Sequence, residues 1–188
     1  MQRIFQLKQI MSKEKQEIRK KIKSLVRELS AEQRRSEAKR LLQLIADEPH
    51  FQSAERVLIY NPLPDEIDVL PILHKYRAQK QFFMPVVADD NSLKILPYSD
   101  EQKTGAYGIG EPVGSDYTAP ESIDYVIVPG VAFSKDGHRL GRGKGYYDRL
   151  LKQTHAYKTG VCFAVQVTPL ITALHEPHDV LMDKVLPL

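Results

Sequence analysis

The chain has no tryptophan and a single cysteine, Cys162. One cysteine excludes an intramolecular disulfide, and no Cys cluster is available for a structural zinc site. Cys162 sits in an apolar run, Val161-Cys162-Phe163-Ala164, and reads as an inert core residue. No run of about 18 apolar residues occurs, so no membrane-spanning helix is expected. The first ten residues, MQRIFQLKQI, lack the continuous apolar centre of a signal peptide. Net charge is only +3, too small to argue for a nucleic-acid partner. What remains is an ordinary soluble composition: 188 residues, 42% hydrophobic, enough for one domain with a sizeable core. Met11 offers a second start, so residues 1–11 are expected to form a loose extension ahead of one domain over 12–188. The expected state is a cytoplasmic monomer with a local basic surface for an anionic ligand.

Glycine is sparse, and its distribution is uneven. Of ten glycines, Gly130, Gly137, Gly141, Gly143 and Gly145 fall in one stretch, GVAFSKDGHRLGRGKGYYDRLL. An apolar run, Tyr125-Val126-Ile127-Val128-Pro129, precedes it and reads as a buried strand. Tyr146-Tyr147-Asp148-Arg149-Leu150-Leu151 follows and reads as the start of a helix. Glycines let a backbone turn sharply and bring N–H groups to an anion. A helix N-terminus adds unpaired donors. Arg139, Arg142 and Lys144 add full charges, so polyphosphate is the expected ligand, held also by N–H groups of Gly141, Gly143 and Gly145. The stretch is not a Walker A loop, because Lys144 is followed by Gly145, and it is not the dinucleotide fingerprint GxGxxG. Its bland reading is a surface loop with solvated charges.

The rest of the chain alternates helical and extended patterns. Ser12 is placed to cap a helix over roughly 13–29, with Ile18, Ile22, Leu25, Val26 and Leu29 on one face and a basic opposite face. Ser30-Ala31-Glu32-Gln33 is a capping box, opening a second helix to about Asp47, which Pro49 ends. Residues 56–60 form a buried strand, and a proline-fixed loop, Asn61 to Glu66, follows it. Glu66 has two readings: a first-turn helix carboxylate, or a ligand group at a strand's carboxyl end. Residues 68–77 read as a helix, and 81–87 with 93–98 as a hairpin. Residues 99–124 show no periodicity, and such a long irregular loop is often functional. A strand is expected near 160–165. His175, His178 and Asp179 have the look of a transition-metal site, though loop histidines are far more often solvated.

The glycine stretch also resembles the signature of the 5-formyltetrahydrofolate cyclo-ligase (methenyltetrahydrofolate synthetase) family. The residues that carry the likeness are Pro129-Gly130-Val131-Ala132-Phe133, Asp136-Gly137 and Arg139 through Asp148. The resemblance implies a single α/β domain with a Rossmann-like central sheet flanked by helices, of the NagB/RpiA/CoA-transferase-like group. It implies ATP and Mg²⁺ as cofactors and 5-formyltetrahydrofolate as substrate. Under it, Arg142, Lys144 and Tyr147 would serve catalysis. Lys15 and Arg19, four apart on one helix side, would join Arg139 and the loop at the nucleotide, and Tyr146 would contribute there or at the folate. Glu66, in Asp65-Glu66-Ile67, and Tyr107, in Tyr107-Gly108-Ile109-Gly110-Glu111-Pro112, would hold the pterin. Asp148 and Asp179 would share Mg²⁺. Two other classes stay open: a nucleotide- or sugar-phosphate-binding module without this activity, and a nucleic-acid-binding protein using the basic helix and loop.

Overall fold

A computed structural model describes residues 2–90, 92–105 and 108–187. Helix α1 spans Gln2–Glu28. It is longer than expected. Residues 2–12 contain neither proline nor glycine, and Gln, Leu, Lys and Met favour the helix, so it runs through Ser12 instead of starting there. The segment expected as a loose extension is therefore helical from Gln2 onward. Helix α2, Ala31–Ala46, carries the capping box as expected: the Ser30 side chain accepts from the Gln33 N–H, and the Gln33 side chain accepts from the Ser30 N–H. Pro49 opens a further short helix, α3 (Pro49–Ser53), instead of simply ending α2.

Strand β1 (Arg56–Leu58), helix α4 (Leu70–Tyr76), strand β2 (Gln81–Asp89) and strand β3 (Ser92–Pro97) follow in order. The stretch expected to be irregular holds a small hairpin, β4 (Gln102–Thr104) against β5 (Gly110–Pro112). Strand β6 is Tyr125–Val128, buried throughout. Two-residue strands β7 (Ala132–Phe133) and β8 (Arg139–Leu140) pair antiparallel inside the glycine stretch. Helix α5 (Tyr146–Leu151), strand β9 (Tyr157–Val161) and strand β10 (Lys184–Leu186) complete the chain. Among the described residues, no helix is long and apolar enough to cross a membrane.

The central sheet has the order β10-β9-β6-β1-β2-β3, parallel except for the edge strand β3. Alternate residues of each strand enter opposite cores, as the two-residue period of a strand requires. Val57, Ile59, Tyr125, Ile127, Phe82 and Met84 pack with Ile22, Val26, Leu41, Ile45, Phe51 and Leu73 of α1–α4. Leu58, Phe83, Val126 and Val128 pack with Leu150 and Leu151 of α5 and with Phe133. Both faces are covered, which is why β6 reads as an unbroken apolar run.

The chain leaves β1 toward β2 on one side and leaves β6 toward β9 on the other. The strand order thus reverses between β1 and β6, and a crevice opens beyond their carboxyl ends. This is where the glycine stretch begins. Its first turn depends on Gly137, which has φ 90°, and a Cβ there would lie 2.5 Å from the Met182 carbonyl oxygen. Gly137→Ala is expected to cost at least about 2 kcal/mol, from an unfavourable φ and a backbone clash. The melting temperature should fall by on the order of 4–8 °C. An unchanged melting temperature would show that the turn relaxes freely.

Candidate active site

A cavity of about 710 Å³ occupies the crevice at the β1/β6 switch point. Tyr60 and Asn61 enter it from the end of β1, and Pro129 and Gly130 from the end of β6. One wall is apolar, built from Pro85, Val87, Leu93 and Ile109. Much of the remaining lining is polar: Arg139 to Asp148, with Ser12, Lys15, Gln16 and Arg19 of α1. Those four positions follow helical spacing, so one stripe of α1 lines the cavity while Ile22 and Val26 face the core.

The glycine stretch is anchored at its base. The turn between β7 and β8 closes with Ser134 N–H donating to the His138 carbonyl at 2.9 Å and His138 N–H donating to Ser134 Oγ at 3.0 Å. The buried Gln166 amide donates to the carbonyls of Gly130 and Val131, both at 3.0 Å, and its oxygen accepts from Phe163 N–H at 2.8 Å. Sequence reasoning placed Gln166 only at a strand end. Its one signal was a polar residue directly after an apolar run. Gly145 caps α5 with φ 66°, a left-handed conformation that costs glycine nothing. Helix α5 is only six residues long, so the loop and its side chains dominate the local positive field, not an extended helix dipole.

The predicted cations are mostly engaged. Arg139, with only 3% of its side chain exposed, pairs through Nη2 with Asp148 Oδ1 at 2.7 Å, while its buried Nε finds no partner among the described residues. Arg142 reaches across the cavity mouth to Asp65 at 2.6 Å and Glu66 at 2.9 Å. Burial opposes charge on Arg142, but these bonds outweigh it and hold the guanidinium above its usual pKa. Burial likewise acts upward on Asp65, yet the hydrogen bond from Arg142 leaves its carboxyl below the usual range. Arg19 donates from Nε to the Gly141 carbonyl at 2.8 Å, tying α1 to the loop. Its burial lowers its pKa, partly offset by Asp179. Lys15 pairs with Glu176 at 2.6 Å and lies 3.5 Å from Asp179. Lys144 is exposed and its ammonium has no partner among the described residues. Tyr147, against Arg139, has a phenol pushed well up by burial and by Glu66, so it stays a protonated donor. Tyr146 lines the cavity and donates to the Asp89 carbonyl at 3.3 Å.

A sequence model of the 5-formyltetrahydrofolate cyclo-ligase family matches residues 11–187. The chain belongs to that family. It is 28% identical over 189 residues to the mouse 5-formyltetrahydrofolate cyclo-ligase, covering 92% of each chain. It is 30% identical over 140 residues to the Escherichia coli K12 5-formyltetrahydrofolate cyclo-ligase, covering 71% of this chain and 77% of that one. The solved structure of the Aquifex aeolicus 5,10-methenyltetrahydrofolate synthetase superposes with a TM-score of 0.80 at 34% identity, over 91% of this chain and 88% of that one. The expected α/β architecture is thus shown, and so is the family.

The family resemblance assigned Glu66 to one ligand and Arg142 to another, and the structure brings these two side chains into direct contact. Glu66 also accepts from Leu63 N–H at 3.0 Å. Asp148 and Asp179 both line the cavity. Each is already engaged, Asp148 with Arg139 and Asp179 with Lys15 and with the Glu176 N–H at 2.8 Å. Among the described residues, no group of three or more His, Cys, Asp or Glu side chains could hold a metal ion by itself. Two hard carboxylates facing one cavity still suit Mg²⁺ carried on a polyphosphate, because Mg²⁺ takes few protein ligands and keeps water and phosphate oxygens. Tyr107 lies outside the described residues. Sequence reasoning gave no role to Asn61, whose amide donates to the Gly110 carbonyl at 2.8 Å and joins the β1 loop to β5. No local pattern could signal a contact between residues so distant in the chain.

Proposed function

We propose that the chain catalyses the ATP-dependent cyclisation of 5-formyltetrahydrofolate to 5,10-methenyltetrahydrofolate, with release of ADP and phosphate. The observation that carries this reading is a cavity with two chemistries. Its cationic glycine loop suits a polyphosphate, and its apolar lining of Pro85, Val87, Leu93 and Ile109 suits a flat bicyclic ring. The family's relatives bear names for the same chemistry.

An N5-formyl group is an amide and a poor electrophile. Transfer of the γ-phosphoryl group to its oxygen breaks the bond to ADP and turns that oxygen into part of a leaving group. The substrate's own N10 then attacks the formyl carbon and gives up a proton. Departure of phosphate, carrying the original formyl oxygen, leaves the methenyl bridge. The nucleophile belongs to the substrate, so the protein needs no reactive serine or cysteine, and its work is positioning and charge stabilisation. In this reading Lys144 neutralises the transferring phosphoryl group. Arg142 leaves Asp65 and Glu66 for phosphate when both substrates are bound, which releases the Glu66 carboxylate to accept from the amino-pyrimidinone edge. Arg139, Arg19, Lys15 and the N–H groups of Gly141, Gly143 and Gly145 frame the nucleotide. Tyr146 and Tyr147 stand between the two ligands, with the Tyr147 O–H as a donor to the reacting oxygens. Tyr107 is proposed to stack on the pterin. Asp148 and Asp179 would hold Mg²⁺, which when bound would offset phosphate charge.

ADP release provides the test. It is expected only when 5-formyltetrahydrofolate, ATP and Mg²⁺ are present together. ADP release that ignores the folate, or ATP binding with no turnover, would overturn the reading in favour of a nucleotide-binding module.

A further inference from the structure

The mechanism above leaves one buried acid of the cavity unused. Glu111, on β5, is 8% exposed and lines the cavity. A buried carboxylate is costly unless its lone pairs are met. Among the described residues, the partner of Glu111 is a single backbone N–H, that of Val87, at a long 3.4 Å. Up to four acceptor positions are therefore served by one weak donor. Pro85, Val87, Leu93 and Ile109 line the same cavity with apolar side chains.

The side chain is also held in place. Gly105 lies directly behind it, and a Cβ there would fall 2.3 Å from Glu111 Cδ. The Gly105 N–H donates to the Ile109 carbonyl at 2.8 Å, closing the loop around this contact. The Asn61 amide bonds the neighbouring Gly110 carbonyl, fixing the hairpin to the loop that carries Glu66. Glu111 is thus a fixed acceptor on the apolar wall, and Glu66 sits on the adjoining loop.

We infer that Glu111 is a second substrate-recognition carboxylate, accepting a hydrogen bond from a ring N–H of the folate's bicyclic head. This inference rests on the cyclisation reading. A ring lying on the apolar wall brings N–H donors to an acceptor that, among the described residues, has one long hydrogen bond. The match also favours a reduced, N–H-bearing ring over an oxidised one with fewer donors.

Initial rates against each substrate, with the other saturating, test this in wild type, Glu111→Gln and Gly105→Ala. Gln keeps the shape and loses the charge. It is expected to raise KM for 5-formyltetrahydrofolate on the order of ten- to a hundredfold, the worth of a hydrogen bond to a charged group. KM for ATP and the melting temperature should stay near wild type. Gly105→Ala pushes the carboxylate aside without removing it and should raise the same KM by a smaller factor. A purely structural Glu111 would shift both KM values and the melting temperature together, and that result overturns the inference. So does an unchanged folate KM in Glu111→Gln beside an active wild type. A wild type that neither binds the folate by calorimetry nor converts it overturns the functional reading, and this inference with it.

Discussion

Lys144→Ala is expected to reduce turnover by on the order of a hundredfold or more, the cost of removing one charge that stabilises a transition state. The fold should not change. Lys144 is exposed, its ammonium has no partner among the described residues, and surface substitutions of this kind usually stay within about 0.5 kcal/mol. Every other predicted phosphate cation contacts protein: Arg139 holds Asp148, Arg142 holds Asp65 and Glu66, Arg19 holds the Gly141 carbonyl, and Lys15 holds Glu176. Removing any of those would mix a structural loss with a functional one. Lys144→Ala separates the two, and steady-state rates with a melting curve check it. Full activity in this variant would remove lysine from the proposed phosphoryl-transfer step.

Asp148→Asn is expected to lose stability and activity together. Its partner, Arg139, has 3% of its side chain exposed and carries one buried N–H that is already unmet. Removing one member of a buried pair strands the other charge, at a cost of roughly 3–5 kcal/mol. Asparagine keeps one acceptor oxygen, so the low end applies, about 3 kcal/mol, or on the order of 6–12 °C in melting temperature. Under the proposed metal role, the variant should also need more Mg²⁺ for half-maximal rate. The two readouts separate the roles. An unchanged melting temperature would remove the structural ion pair, and an unchanged Mg²⁺ requirement would remove Asp148 from the metal.

The parts of the fold that sequence made legible are those with strong local signals. Ser30 and Gln33 announce α2 because both halves of the capping box lie within one turn. The run Tyr125–Val128 announces β6 because both faces of the sheet are covered there. The β2–β3 hairpin follows from two apolar runs around a short polar turn. Elements without such signals were missed. In β4, Gln102, Lys103 and Thr104 are all exposed, so no alternation marks them as a strand. Strands β7 and β8 have two residues each, too few to show a period. The start of α1 is not marked in the sequence because the apolar stripe begins at Ile18, while the helix extends to Gln2 through residues that include no proline or glycine.

The same division holds in the cavity. The glycine loop stands out in the sequence because its glycines and cations are contiguous, and it lines the cavity. The Arg142 contact with Glu66 spans 76 residues of sequence, and the Gln166 contacts with Gly130 and Val131 span 36 and 35. The pairing of β1 beside β6 brings the first two residues together, and the pairing of β9 beside β6 brings Gln166 to Gly130 and Val131. The resemblance pointed to the glycine loop, Lys15, Arg19, Glu66 and Asp179, which line the cavity, but not to its apolar lining of Pro85, Val87 and Leu93, and the pairings come from tertiary geometry.

The most direct test of the central claim follows the absorbance of the methenyl product in a cuvette holding the protein, 5-formyltetrahydrofolate and Mg²⁺, before and after addition of ATP. ATP-dependent cyclisation should give a flat trace before ATP and a sustained rise after it. A trace that stays flat after ATP, from folded protein that demonstrably binds the nucleotide, would contradict it.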